Sequence, residues 1–209
     1  MGAAMGGGIK SVGGVPAPVP SGALWNKNVP AIRDPQAVVR KADPILDKSI
    51  LDKAANARAL LKSDLQRSPN AGYAIANIDG LFQSDFFAHS GVQSRDKLSP
   101  TVQDRMREND VLDIMCFKEA ECEFETKFIT SENTISDQNN SRAWNRNVDA
   151  ESKILEDINR KISRLDNPTG TIKLYTDYYP CPSCEGVISQ FESKYPSINI
   201  EVIYSNKYE

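Results

Sequence analysis

Apolar positions recur along this chain in two periods, and the changes of period divide it into elements. From Asp34 to Leu65 they fall at helical spacing, through Val38, Val39, Ile45, Leu46, Ile50, Leu51, Ala54, Leu60 and Leu61. Asp34-Pro35 supplies a helix cap and first position, and Pro44 divides the run in two. The cluster Ser68-Pro69-Asn70-Ala71-Gly72 ends it. Tyr73 to Leu81 and Ser84 to Val92 then read as strands joined by a turn near Asp79-Gly80. A polar helix is expected over Thr101 to Asn109, a strand over Cys122 to Ile129 (CEFETKFI), and a long polar loop over Thr130 to Arg142.

The C-terminal third is more sharply patterned. Asp149 to Leu165 predicts a helix with a buried stripe of Ile154, Leu155, Ile158, Ile162 and Leu165. Asp166-Asn167-Pro168-Thr169-Gly170 breaks it, and Gly170 to Tyr179 reads as a strand. A helix over Glu185 to Tyr195 and a strand over Ile198 to Tyr204, alternating as INIEVIY, complete the chain. A strand-helix-strand crossover makes the last two strands parallel. Hairpin, helix, strand, helix, strand predicts an α/β sandwich, a mixed sheet with helices on both faces.

Between the strand over Gly170 to Tyr179 and the helix after it stands Tyr179-Pro180-Cys181-Pro182-Ser183-Cys184. Cysteines at i and i+3 of a helix start lie on one face and can share one metal ion. The positive end of the helix dipole also favours thiolate there. Two chemistries use this geometry, a zinc site and a dithiol redox site.

Composition narrows the field only modestly. The 209 residues, 40% hydrophobic and 25% charged, are those of a soluble globular chain of one ordinary domain plus trimmings. No apolar run approaches the ~20 residues of a membrane span. The opening MGAAMGGGIKSVGGVPAPVP lacks the basic and apolar regions of a secretory signal, and residues 1–32 read as a Gly/Pro-rich linker or leader. A formal net charge of −3 argues against nucleic-acid binding by bulk charge. Cys116 and Cys122 lack metal-ligand spacing to each other and read as free thiols.

Upstream, Asp149-Ala150-Glu151 pairs with the cysteine motif in the manner of zinc-dependent deaminases, H-x-E…P-C-x-x-C. The segment GTIKLYTDYYPCPSCEGVISQFESKYPSINIEVIY resembles the cytidine-deaminase-like toxin domains of bacterial polymorphic toxin systems, in the subgroup with D-x-E in place of H-x-E. The resemblance runs from about Ala143 to Tyr204 and extends back to about Tyr73. It implies a three-layer α/β/α sandwich over residues 33–209, with 33–66 as an N-terminal helical part and 67–209 as the catalytic core. It also implies Zn2+ on Cys181, Cys184 and Asp149, with His89 as the alternative third ligand, and Glu151 as the proton-transfer group. The expected reaction is hydrolytic deamination of a nucleobase, cytosine foremost, in DNA or RNA. The expected setting is a monomeric toxin domain, delivered as part of a larger protein to the target-cell cytoplasm and restrained by a cognate immunity protein.

Each residue has a plainer role beside the chemical one. Asp149 suits a helix cap, and Glu151 suits the positive first turn. His89, the only histidine, and Ser90 stand near a strand end, as substrate contacts or as satisfied strand-end residues. Arg142-Ala143-Trp144-Asn145-Arg146 can grip phosphate and stack a base, or anchor a loop. A dithiol oxidoreductase and a zinc-clipped binding module are the rival readings of the cysteines.

Overall fold

The computed structural model describes residues 37–68, 71–94, 98–108 and 122–207. The leader, the Asp34-Pro35 cap and Cys116 lie outside them. The order of elements is Val38–Lys41 (β1), Lys48–Ala59 (α1), Ser63–Arg67 (α2), Ala71–Ile78 (β2), Asp85–His89 (β3), Pro100–Glu108 (α3) and Phe128–Thr130 (β4). Ile135–Ser136 (β5), Ala143–Asn145 (β6), Ala150–Ile162 (α4), Gly170–Tyr178 (β7), Pro182–Lys194 (α5) and Ile198–Asn206 (β8) follow. Among the described residues, no helix is long and apolar enough to cross a membrane.

Five strands form one mixed sheet in the order β1-β8-β7-β2-β3. β1, β8 and β7 run parallel, whereas β2 is antiparallel to both β7 and β3. Strand periodicity sorts side chains to two faces. Ala74, Ala76, Ile78, Ile172, Leu174 and Val202 form one core with Ile154, Leu155 and Ile158 of α4 and Val187, Ile188 and Phe191 of α5. Tyr73, Phe87, Tyr175 and Ile203 form another with Ile50, Ala54 and Ala57 of α1 and Val102 and Met106 of α3. The result is the expected α/β/α sandwich, a mixed sheet with helices on both faces.

Two local expectations are corrected. The helix predicted from Asp34 does not run through Val38–Lys41, which forms edge strand β1 beside β8. Val38-Val39 is β-branched, and pairing with β8 outweighs a helical spacing read across a proline. Helix begins only at Lys48, after Asp43 Oδ1 has accepted from the backbone N–H groups of Ile45 and Leu46 in a turn. The second correction concerns Cys122 to Arg142. Of the predicted strand only Phe128 and Ile129 are extended, and the polar loop holds a hairpin turn with Asn133 at φ 58°. β5 and β6 pair on either side of β4 as a separate small sheet.

Gly170 shows why the break before β7 ends where it does. Its φ is 150°, and a Cβ there would lie 2.1 Å from the Asn77 carbonyl oxygen, so only glycine can start the strand this close to β2.

The amino-terminal ends of β7 and β8 are tied to α1 by charge. Asp47 is buried and accepts from Arg40 Nη1 at 2.6 Å, Lys173 Nζ at 3.0 Å and the Asp43 N–H at 2.8 Å, while Arg40 and Lys173 also pair with Glu201. The Arg40 hydrogen bond holds the Asp47 carboxyl well below the usual carboxylate range. A depressed folded-state pKa gives stability that is full above the unfolded value of about 4 and is lost as pH falls through the folded one. Asp47→Ala is therefore expected to cost about 2–4 kcal/mol at pH 7, moderated because both cations are about a third exposed. Denaturant melts should show the gap from wild type narrowing progressively below about pH 4; a pH-independent gap would contradict the assignment.

Candidate active site

The carboxyl end of β7, where the sheet changes from parallel to antiparallel pairing, receives the N-termini of both helices of one face. α4 starts behind Asp149 and α5 behind Cys181. Proline at the first position of α5 fits, since that N–H has no intrahelical partner. α5 begins three residues earlier than its polar pattern predicts, placing Cys181 at the cap and Cys184 in the first turn. The Cys181 sulfur accepts from the Cys184 N–H at 3.4 Å.

Chain connections make the two helix starts converge. Tyr195 of α5 donates to Asn159 Oδ1 of α4 at 2.7 Å. The segment before β4 is stitched to both helices: the Phe124 N–H donates to Glu156 of α4, and the N–H groups of Glu125 and Lys127 donate to Gln190 and Ser183 of α5. Gly72 of β2 allows α4 close to the sheet, because a Cβ there would meet Ala150 at 3.1 Å and Ile154 at 3.2 Å. Ile129 of β4 packs over the two cysteines.

Asp149 occupies the cap position of α4, yet its side chain makes no capping hydrogen bond. Oδ2 instead lies 3.5 Å from Cys181 Sγ and 3.4 Å from Cys184 Sγ, with the sulfurs 3.3 Å apart. Oδ1 faces Arg146 Nη1 at 3.4 Å. The plain helix-cap role is thus not the one this carboxylate fills. Glu151, two residues on, is buried, lines the same cleft, and accepts from Thr176 Oγ1 at 2.8 Å.

The electrostatics are those of a crowded acidic group. Burial, and then the charge of Asp149, push Glu151 up to about 7. Burial raises Asp149 against the opposing pull of Arg146. Cys184 is raised well above a free thiol by its hydrogen bond with Cys181 and by burial. Such groups are relieved by a cation, and Asp149, Cys181 and Cys184 place one ligand atom each within 4.8 Å of one another. The donor set suits zinc: at usual bond lengths the edges of a tetrahedral S2O face are about 3.5–3.8 Å, close to the separations here.

The other expected site residues divide. Ser90 and Arg146 line the cleft with Asp149 and Glu151. Trp144, 45% exposed, does not line it but has the Arg146 guanidinium 4.9 Å from its ring centre. Arg142 is exposed and does not line the cleft. His89 stands apart from the metal-ligating group: Nδ1 accepts from the Gly91 N–H, and Nε2 faces the carbonyls of Leu65 and Ser68. Burial lowers its pKa. Thr176, which holds Glu151, escaped the sequence reading. Alternation along β7 places Thr176 on the α4 face, the one signal that could have found it. Lys153, 3% exposed, donates to the carbonyls of His89 and Val92, fixing the turn that presents Ser90.

A parallel-to-antiparallel sheet with two thiols and two carboxyls gathered at paired helix starts defines an α/β deaminase fold. The Toxin-deaminase family, described as the BURPS668_1122 family of deaminases, matches residues 55–206, and the chain belongs to this family of deaminase toxin domains. No curated protein and no solved structure matches it.

Thr176→Val keeps the side-chain shape and removes one hydrogen bond to a buried carboxyl, an interaction worth about 1.5–3 kcal/mol when the acceptor is charged. Deamination should fall about tenfold or more, and the melting temperature by only a few degrees. A melting temperature that falls while turnover holds would make Thr176 merely structural.

Proposed function

We propose that this domain is a zinc-dependent hydrolytic deaminase that converts cytosine to uracil in nucleic acid and acts as an interbacterial toxin. The observation that carries the reading is the Asp149 carboxylate turned from its own helix onto both sulfurs, with Glu151 beside it. Asp149, Cys181 and Cys184 would hold the zinc, and the ion would supply Lewis-acid activation of water near neutral pH. Glu151 takes one proton from the attacking water and passes it to the ring nitrogen as the C4–O bond forms. It then carries the second from the new hydroxyl to the amino group, so that the C4–N bond breaks, ammonia leaves and uracil remains. A carboxyl held near 7 suits a group that must both accept and return a proton. Thr176 orients that carboxyl, and Ser90 and Arg146 face the entering base.

The rival readings fare worse. A redox dithiol needs an accessible sulfur with a lowered pKa, whereas both sulfurs are 1% exposed and the Cys184 thiol is raised. A structural zinc clip wants a fourth protein ligand, and the metal-ligating group found among the described residues has three. We assign residues 33–209 to the deaminase domain and 1–32 to a leader. We further assign a monomer delivered within a larger toxin, acting in the target-cell cytoplasm and neutralised by an immunity protein.

Glu151→Gln should lower ammonia and uracil release by about 10²–10⁴-fold while zinc content stays near one ion per chain. Asp149→Ala and Cys184→Ala should lose zinc and activity together, read by elemental analysis and product assay. Full activity in Glu151→Gln, or activity in the zinc-free protein, would end the proposal.

A further inference from the structure

The small sheet beside the site has a face that the fold leaves partly uncovered. Ile129, on central strand β4, lies opposite Ile135 on one side and Trp144 on the other. Directly opposed residues share a face, so all three side chains stand on the same one. Its centre, Ile129, is buried on Cys181 and Cys184, while its flanks are open, Ile135 at 51% and Trp144 at 45% exposure. An indole half open to solvent beside a buried acidic cluster is not needed for packing.

Trp144 is connected to the chemistry through a single side chain. The Arg146 guanidinium is 4.9 Å from its ring centre and, by Nη1, 3.4 Å from Asp149 Oδ1. Arg146 itself lines the cleft holding Glu151, so the indole is one side chain removed from it. Arg142 stands in the turn before β6 and Arg146 opens the 3-10 turn after it, so a cation lies two residues to either side of the aromatic, and Arg142 is exposed. Stacking surface flanked by guanidinium groups is the arrangement that binds a single-stranded polynucleotide: bases stack on the ring and phosphates meet the cations. The chain is acidic as a whole, at −3, so these local cations supply the complementarity.

We infer that Trp144 is the stacking platform for the base adjacent to the target base of a single-stranded polynucleotide, with Arg142 on the phosphate backbone. The inference rests on the deaminase reading for the target base but has its own observable. Base stacking quenches indole fluorescence, and the chain's only other tryptophan is Trp25. In the zinc-loaded full chain carrying Trp25→Phe and Glu151→Gln, which blocks turnover, titration with a cytosine-containing 20-mer should quench Trp144. Deoxyribo- and ribo-oligomers form the two arms that separate DNA from RNA.

In the active background, Trp144→Ala should lower kcat/KM on the 20-mer about tenfold more than on the corresponding mononucleotide, through KM, and Trp144→Phe should restore most of it. Arg142→Ala should reduce the slope of log affinity against log salt by about one. Equal losses on 20-mer and mononucleotide, or an unquenched indole with bound oligomer, overturns the platform. Quenching and salt dependence without ammonia release from any substrate would instead sink the deaminase reading and leave the platform standing.

Discussion

Everything at the carboxyl end of β7 follows from the burial of two carboxyls and two thiols in one place. Water stabilises such groups far better than a protein interior does, so their burial is tolerated only where compensating charge or hydrogen bonding is built in. The two helix starts supply positive ends, Arg146 faces one carboxylate, and Thr176 donates to the other. Lys153 adds a buried ammonium on the same helix, whose charge also pulls Asp149 downward. Even so Asp149, Glu151 and Cys184 all remain raised above their ordinary values. A fold optimised for stability alone would not collect them. The strain is local and functional, and it is the imbalance a divalent cation corrects.

The part of the chain that builds this end was legible in the sequence because its physics is local. β7, α5 and β8 carry clean periods, and C-P-S-C fixes a helix start through a proline that has no N–H to lose. Asp149 was placed at the cap of α4 and, through the family resemblance, beside Cys181 and Cys184; its local pattern alone reads as a plain helix cap, because the sulfurs it faces lie over thirty residues downstream. The same distance hid Thr176, and hid the carbonyl partners that Lys153 finds once the β3 turn packs against α4. β1 was misread because a four-residue strand has too little sequence to show a period, and its pairing with β8 spans most of the domain. The small sheet failed for a related reason: strands of two and three residues are dictated by their neighbours.

Size alone would misplace the site. A cavity of about 540 Å³ lies beside the amino-terminal halves of β7 and β8, under α1, and its polar lining includes Asp47, Lys173 and Glu201, already engaged with one another. The cleft at Glu151 is only about 20 Å³, room for a water but not for a base. Chemistry decides between them: ligands of α/β sheets bind beyond the carboxyl ends of the strands, and that is where the perturbed carboxyls stand.

So small a cleft must open for a base, and its walls are unequally held. The Ser90 wall is tied down by two Lys153 hydrogen bonds of 2.9 and 2.6 Å, and the His89 ring adds bonds on both nitrogens. Across from it Arg146 meets Asp149 at 3.4 Å and rests on an exposed ring. Moving the first wall strips a buried ammonium of its partners, whereas the Arg146–Asp149 pair of the second is longer than either Lys153 bond. On the proposed reading entry falls to the Arg146 side, where an incoming strand would bring an anion to replace Asp149 as partner. The histidine that looked like a metal ligand in the sequence is, in the folded chain, part of what keeps the opposite wall still.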